Sequence, residues 1–416
     1  MPAGELIVGG IGAPRTLLGL FLAGLAVGCD AREGPDPDSS GAVVRDSAGI
    51  TIVENFTPAW GADKAWRLSD EPDLVIGSLD GPAPYTFSAP RPYALSDGRI
   101  LVAELAQQEI RIFSADGEHL LTAGGKGDGP GEFTRLNDLV VLPGDTILAF
   151  DGGHMRFTAF DDAGTLLDMA TLDFPTDTWR GRFFGVVDTL RVVGRSFASD
   201  DTSGLSRERI EVALHDSSGE RRLVVDTLNG RRLLERETPN DLVLSTLLPF
   251  EPEGAAVAGN GRIYSTAADR VDVRVHAADG TLERIIRLDR PARPVTDETV
   301  RRHMEGVEEQ FEQFDTPVEF RAAFREMNER AARSSDVLPM VRDLKVESSG
   351  HLLVIPWAAR WEATPPALVF DTEGRWLGEL EVPDGHAVSS LASDHALATW
   401  LDELDISYVG RLPLER

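Results

Sequence analysis

From Val43 onward the chain alternates short apolar runs with short polar ones, and the order of these runs repeats. An apolar run leads into a polar turn and a second apolar run; a third run ends in a turn built on acid and Gly, and a fourth follows. The first turn of the unit occurs at Ser96-Asp97-Gly98-Arg99, Pro143-Gly144-Asp145-Thr146, Val187-Asp188-Thr189, Gly259-Asn260-Gly261-Arg262, Ser348-Ser349-Gly350-His351 and Ser393-Asp394-His395. The second occurs at Ala115-Asp116-Gly117, Asp162-Ala163-Gly164, Ser217-Ser218-Gly219, Ala278-Asp279-Gly280 and Thr372-Glu373-Gly374. Asp and Asn side chains bond their own backbone, and Gly supplies the positive φ of tight hairpins. The runs between turns are short, rich in Val, Ile and Phe, and partly alternating, which predicts β-strands.

Four short strands per unit, with second-turn glycines 47, 55 and 61 residues apart before one wide gap of 94, are compatible with β-propeller blades. The widest gap, between Gly280 and Gly374, contains a stretch of helical periodicity over residues 295–336. Thr296 or Asp297 can cap its first helix, with Val300, Met304, Val307 and Phe311 on one face. Thr316-Pro317-Val318-Glu319 reads as a capping box with Pro at the first helical position, followed by Phe320, Phe324 and Met327. This hairpin either packs on the propeller's side or lies over one face as a lid. The six first turns thus predict an all-β, six-bladed β-propeller over residues 43–416 with a two-helix insertion. The sixth unit lacks its last strand, since the chain reaches Arg416 soon after Ile406-Ser407-Tyr408-Val409. The unassigned run Gly49-Ile50-Thr51-Ile52-Val53-Glu54 is expected to pair with the last blade and close the ring.

The N-terminus has a different character. Arg15 precedes the apolar run Leu17 to Gly28, which is too short for the roughly 20 residues of a membrane-spanning helix and suits a signal-peptide core. Residues 1–28 are therefore expected to be a signal peptide. Cys29, the single cysteine, excludes an intramolecular disulfide. Residues 29–42, rich in Pro, Gly, Ser and acid, read as a flexible tether. The formal net charge of −28 argues against nucleic-acid binding, which draws on Lys and Arg neutralising phosphates.

Leu25-Ala26-Val27-Gly28-Cys29 resembles a bacterial lipoprotein lipobox. The resemblance implies a lipid on Cys29, export to the periplasm or cell surface, and membrane contact through the anchor alone. Gly124-Gly125-Lys126-Gly127-Asp128-Gly129-Pro130-Gly131-Glu132-Phe133, with Val44 to Asn55, resembles bacterial six-bladed propeller proteins related to NHL repeats. The second unit follows the NHL pattern through Phe133, Asp151, Arg156 and Phe160.

Catalytic sets are sparse. The Gly-rich run lacks the following Lys-Ser or Lys-Thr of a phosphate-binding loop. Gly194-Arg195-Ser196-Phe197-Ala198 lacks the last Gly of a nucleophile elbow and reads as strand. No catalytic residue is assigned, and the expected role is a non-catalytic binding or scaffolding module without cofactor. Its partner, a protein or small molecule, is unnamed. Counting back from the first turns places Arg91, Asn137, Glu253, Arg342 and His386 at the channel mouth. Their two Arg suit an anionic group such as a carboxylate. The alternative is a Ca²⁺- or Zn²⁺-dependent lactonase-like hydrolase or an NHL-type lyase, since lactonase-type propellers use Glu, Asn and Asp at that mouth.

Overall fold

The computed structural model describes residues 41–61, 65–174, 180–200, 205–237, 243–313 and 317–415. Cys29, the signal peptide and Thr316 of the expected capping box lie outside these residues. The first strands of the six blades are Pro90–Ala94, Leu136–Val141, Arg180–Val187, Ala255–Gly259, Val341–Val346 and Ala387–Leu391. Each is followed by antiparallel neighbours in chain order. The tight turns form where the sequence predicts them. In blade four Asn260 and Gly261 both take positive φ (51° and 71°), as a two-residue hairpin requires.

Both faces of each blade are apolar, because each is pressed between two neighbours. The second strands Ile100–Glu104 and Ile147–Asp151 are buried at every position. One hydrophobic cluster fills each seam. Leu101, Ile112, Leu136 and Ala149 join blades one and two, and Phe150, Phe157 and Phe183 join two and three. Ile210, Val212, Ala256 and Ile263 hold three to four, and Val273, Ile286, Leu344 and Val354 hold four to five. Leu353 and Val369 meet Leu391 and Ala396 between five and six. Leu397 and Val409 meet Ile100 and Phe113, so blade six is packed against blade one and the ring is shut.

The N-terminal segment supplies four strands, labelled β1 (Ala42–Ser47), β2 (Ile50–Asn55), β3 (Trp66–Leu68) and β4 (Leu74–Ile76). Here one expectation is corrected. β2 does not join the last blade; it lies parallel to Leu282–Leu288, the outer strand of blade four, with β1 beyond it. Closure falls to the next two strands. β3 runs between the outer strand of blade five, Trp376–Glu381, and the end of Ser407–Glu415 in blade six. β4 pairs with the middle of that same blade-six strand, Ile76 opposite Val409, and is the missing fourth strand. Ile76 is the residue that fits the seam to blade one; β2 instead buries Ile52, Val53 and Asn55. The Asn55 amide donates to the carbonyls of Arg287 and Gly374 (3.0 Å each), holding β2 to blade four and to the turn of blade five.

Two helices interrupt the β pattern, α1 (Asp297–Gln313) and α2 (Val318–Ala332). Thr296 Oγ1 caps α1 by accepting from the Thr299 N–H (3.2 Å). Pro317 stands at the N-cap of α2, one position earlier than expected, and makes no side-chain cap. Blade three departs most from the repeat. Its strands Leu190–Asp200, Leu205–His215 and Arg221–Glu237 outrun its first strand and project beyond the ring as a tongue. They do so at the end where every first strand begins, the mouth end. α2 packs on this tongue through Met327 and Ala331 against Leu234, Leu244 and Leu248. α1 meets Phe250 and Leu338 through Val300. The hairpin therefore sits beside the mouth. Among the described residues no helix is long and apolar enough to cross a membrane.

Candidate functional site at the channel mouth

Each first strand presents its opening residues at the mouth. Arg91, Asn137 and Arg342 are the second residues of theirs. Arg91 Nη1 donates to the Asn137 carbonyl (3.1 Å) and pairs with Asp138 (3.2 Å), so blades one and two are linked there. The Asn137 side-chain oxygen accepts the Gly152 N–H (2.9 Å). Arg342 is exposed, with no ion pair among the described residues. Glu253 and His386 are out of register with these three, because they precede Ala255 and Ala387 on the lead-in segments. Counting back from the turn overshoots in blade four, whose hairpin closes on two residues with Gly259 paired to Arg262; blade two pairs Val141 with Ile147. His386 bonds the Asp384 carbonyl (3.1 Å) and lies against Trp400, 4.9 Å between ring centroids. Of the five, the structure brings Arg91 and Asn137 into direct contact.

Two buried carboxylates organise the mouth without lining it. Glu104 ends the second strand of blade one and accepts the N–H groups of Ser88 and Ala89 (3.1 and 3.0 Å). Asp151, its counterpart in blade two, accepts those of Thr134, Arg135 and Gly153 (2.8–3.0 Å) and faces His154 Nδ1 (3.0 Å). Burial alone would push the Asp151 carboxyl up. The His154 bond and the three backbone donors outweigh it and hold the group at about 2. These side chains are occupied in clamping the chain that enters each blade. Asn137 and Glu253, the oxygen donors of the metal-hydrolase reading, are also engaged. Among the described residues no three His, Cys, Asp or Glu gather around a cation position.

The concentrated charge lies at the base of the tongue, and the sequence reading named only Glu253 from it. Glu208 is 1% exposed. Arg180 from the first strand of blade three reaches it at 3.1 Å, Arg231 at 3.2 Å and Arg182 at 3.8 Å. Glu208 stands where the pairing of the third and fourth strands slips, Arg207 opposite Arg232 but Arg209 opposite Asn229. Gly230 fills that bulge, and a Cβ there would meet Glu208 Cγ at 2.8 Å. Burial opposes ionisation of Glu208, but the neighbouring Ser196 hydroxyl and the Arg180, Arg182 and Arg231 guanidinium groups hold its carboxyl at about 2. Arg182 also pairs with Glu253 across the seam to blade four. Beside this group Glu251 takes Arg207 (3.0 Å) and Arg232 (3.3 Å). Arg209 donates to the Asn229 side-chain oxygen.

Arginines therefore outnumber carboxylates in this patch of a strongly acidic chain. The burial of Arg180 and its arginine neighbours Arg182 and Arg231 lower its pKa, against the pull of Glu208. A second anion would relieve that crowding. Guanidinium forks bind carboxylates through paired N–H donors, and inside a half-buried rim such bonds are stronger than in water. The sequence signal was the alternation Arg207-Glu208-Arg209 with Arg180, Arg182 and the pair Arg231-Arg232, which reads as an ordinary solvated strand until the bulge and the seam bring it together.

A family described as 6-bladed beta-propeller matches residues 90–179, the whole of blades one and two. No curated protein sequence matches the chain. Among solved structures, a candidate exported protein from Bacteroides fragilis is similar at 12% identity and TM-score 0.49, over 88% of this chain and 99% of that one. A member of the DUF4221 family from Bacteroides vulgatus shares 9% identity at TM-score 0.49, over 85% and 99%. Virginiamycin B lyase from Staphylococcus aureus shares 8% at TM-score 0.39, over 84% and 99%.

Proposed function

We propose that this six-bladed propeller is an exported, lipid-anchored, non-catalytic binding module that takes a carboxylate-bearing ligand at its mouth, beside the tongue of blade three. The observation that carries this reading is the Arg180–Arg182–Arg231 group around buried Glu208. Guanidinium groups of this kind suit a planar anion such as a carboxylate. Arg182 is the member that meets both the buried Glu208 and a second, partly exposed carboxylate, Glu253.

Glutarate titrated into the purified full-length protein is expected to raise the melting temperature saturably, less so at high salt. Arg182→Gln should weaken that binding at least tenfold. Equal binding by both proteins would remove the arginine cluster from the account. Export and anchoring rest on the Leu17–Gly28 run and on Cys29. Cys29→Ser is expected to move the protein from the membrane fraction to the soluble one; a variant that stays with membranes rules the lipid out.

A further inference from the structure

We propose that Glu253 is an internal stand-in for the ligand, a side-chain carboxylate that occupies Arg182 until an external carboxylate displaces it. The inference rests on the binding reading above and names the chemistry of its site. The two carboxylates that Arg182 faces are unequal. Glu208 is 1% exposed and shared by three arginines, whereas Glu253 is 37% exposed and Arg182 is its partner. Glu208 belongs to the floor of the site, and Glu253 closes it from the solvent side.

The backbone around Glu253 is pinned on both sides. Leu248 N donates to the Arg232 carbonyl (2.9 Å), Gly254 N donates to the Asn229 carbonyl (2.8 Å), and Glu251 is held by Arg207 and Arg232. Release therefore needs only rotation of the Glu253 side chain, with no loop movement. An external carboxylate group brings to Arg182 the same single negative charge that the Glu253 side chain takes away from it. A phosphate would add charge directly above Glu208, so the stand-in also selects for carboxylate over phosphate. Because it is tethered, Glu253 competes at an effective concentration of mM order or more, and so weakens every external carboxylate.

Glu253→Ala removes the stand-in and leaves a gap the shape of its side chain, for which propionate is the matching probe. In thermal-shift titrations at fixed ionic strength, propionate should half-saturate the full-length Glu253→Ala protein at a concentration about tenfold below that for wild type. Inorganic phosphate should show no such gain. Glu253→Gln, which keeps the side-chain volume, should tighten glutarate binding, and Glu253→Ala with Arg182→Gln should lose the propionate response. Glutarate binding that needs Arg182 but is unchanged or weaker in Glu253→Ala and Glu253→Gln would overturn the stand-in and leave the binding reading intact. Equal gains from propionate and phosphate would overturn the selectivity. No response to any carboxylate in any of these proteins would overturn both.

Discussion

Replacing Glu208 by Ala is expected to lower the unfolding free energy by about 2–3 kcal/mol, the cost of leaving three half-buried guanidinium groups without their shared partner. Arg180, Arg182 and Arg231 all lean on this one carboxylate, and among the described residues Arg182 alone of the three has another acid at hand, in Glu253. Urea denaturation of the purified protein measures the loss. The matched control is Glu253→Ala, which breaks a partly exposed pair and should cost about 1 kcal/mol or less. Comparable losses in the two variants would mean that Glu208 is not the keystone of the cluster. The same group sets an acid limb. Its folded pKa, about 2, lies below the ordinary glutamate value of 4.5. Its contribution is therefore complete above about pH 4.5 and is lost as pH falls toward 2, where folded and unfolded chains bind the same proton. Asp151, held down to about 2 by the chain that enters blade two, adds to the same limb. In Glu208→Ala the fall in stability between pH 4.5 and 2 should be shallower than in wild type.

The second large effect belongs to ring closure. Ile76 and Val75 are neighbours on β4 but face opposite ways. Ile76 is 2% exposed among Phe87, Ile100, Phe113, Leu397 and Val409, whereas Val75 is 49% exposed. Ile76→Asp is expected to cost about 4 kcal/mol or more, from lost apolar burial and from a carboxyl forced into the last seam. Against a typical total of about 5–15 kcal/mol this is a large share. Val75→Asp should stay within about 0.5 kcal/mol. Equal losses would mean that β4 lies on the rim without closing the seam.

The repeat was legible because its turns carry their own chemistry: Asn260-Gly261 and Asp97-Gly98 specify hairpins from within a few residues. What the turns cannot specify is which distant edge a spare strand will join. Ile50–Asn55 and Leu74–Ile76 are both short apolar runs. The choice between them for blade six is made by a seam whose other side, Leu397 and Val409, lies more than 300 residues away in sequence. The candidate site was legible in part. Spacing named Glu253, which the structure places before its strand rather than in it, and it named the Arg-bearing mouth, the end of the blades from which the arginine cluster of the proposal was then read. Arg180, Arg182 and Arg231 were passed over because alternating Arg and Glu on a strand ordinarily mark a wet surface. Only the slip opposite Gly230 and the seam to blade four turn that alternation inward.

The lacing of β1 to β4 over blades four, five and six also sets an order of events. These strands are the first part of the propeller to be synthesised, yet their partners, ending with Ser407–Glu415, are the last. Blades one to three draw each strand from nearby sequence and can form as the chain lengthens. β4 must wait unpaired until Ser407–Glu415 has emerged, so closure is a late, long-range step. Until then the ring stands open at the seam between its sixth blade and its first.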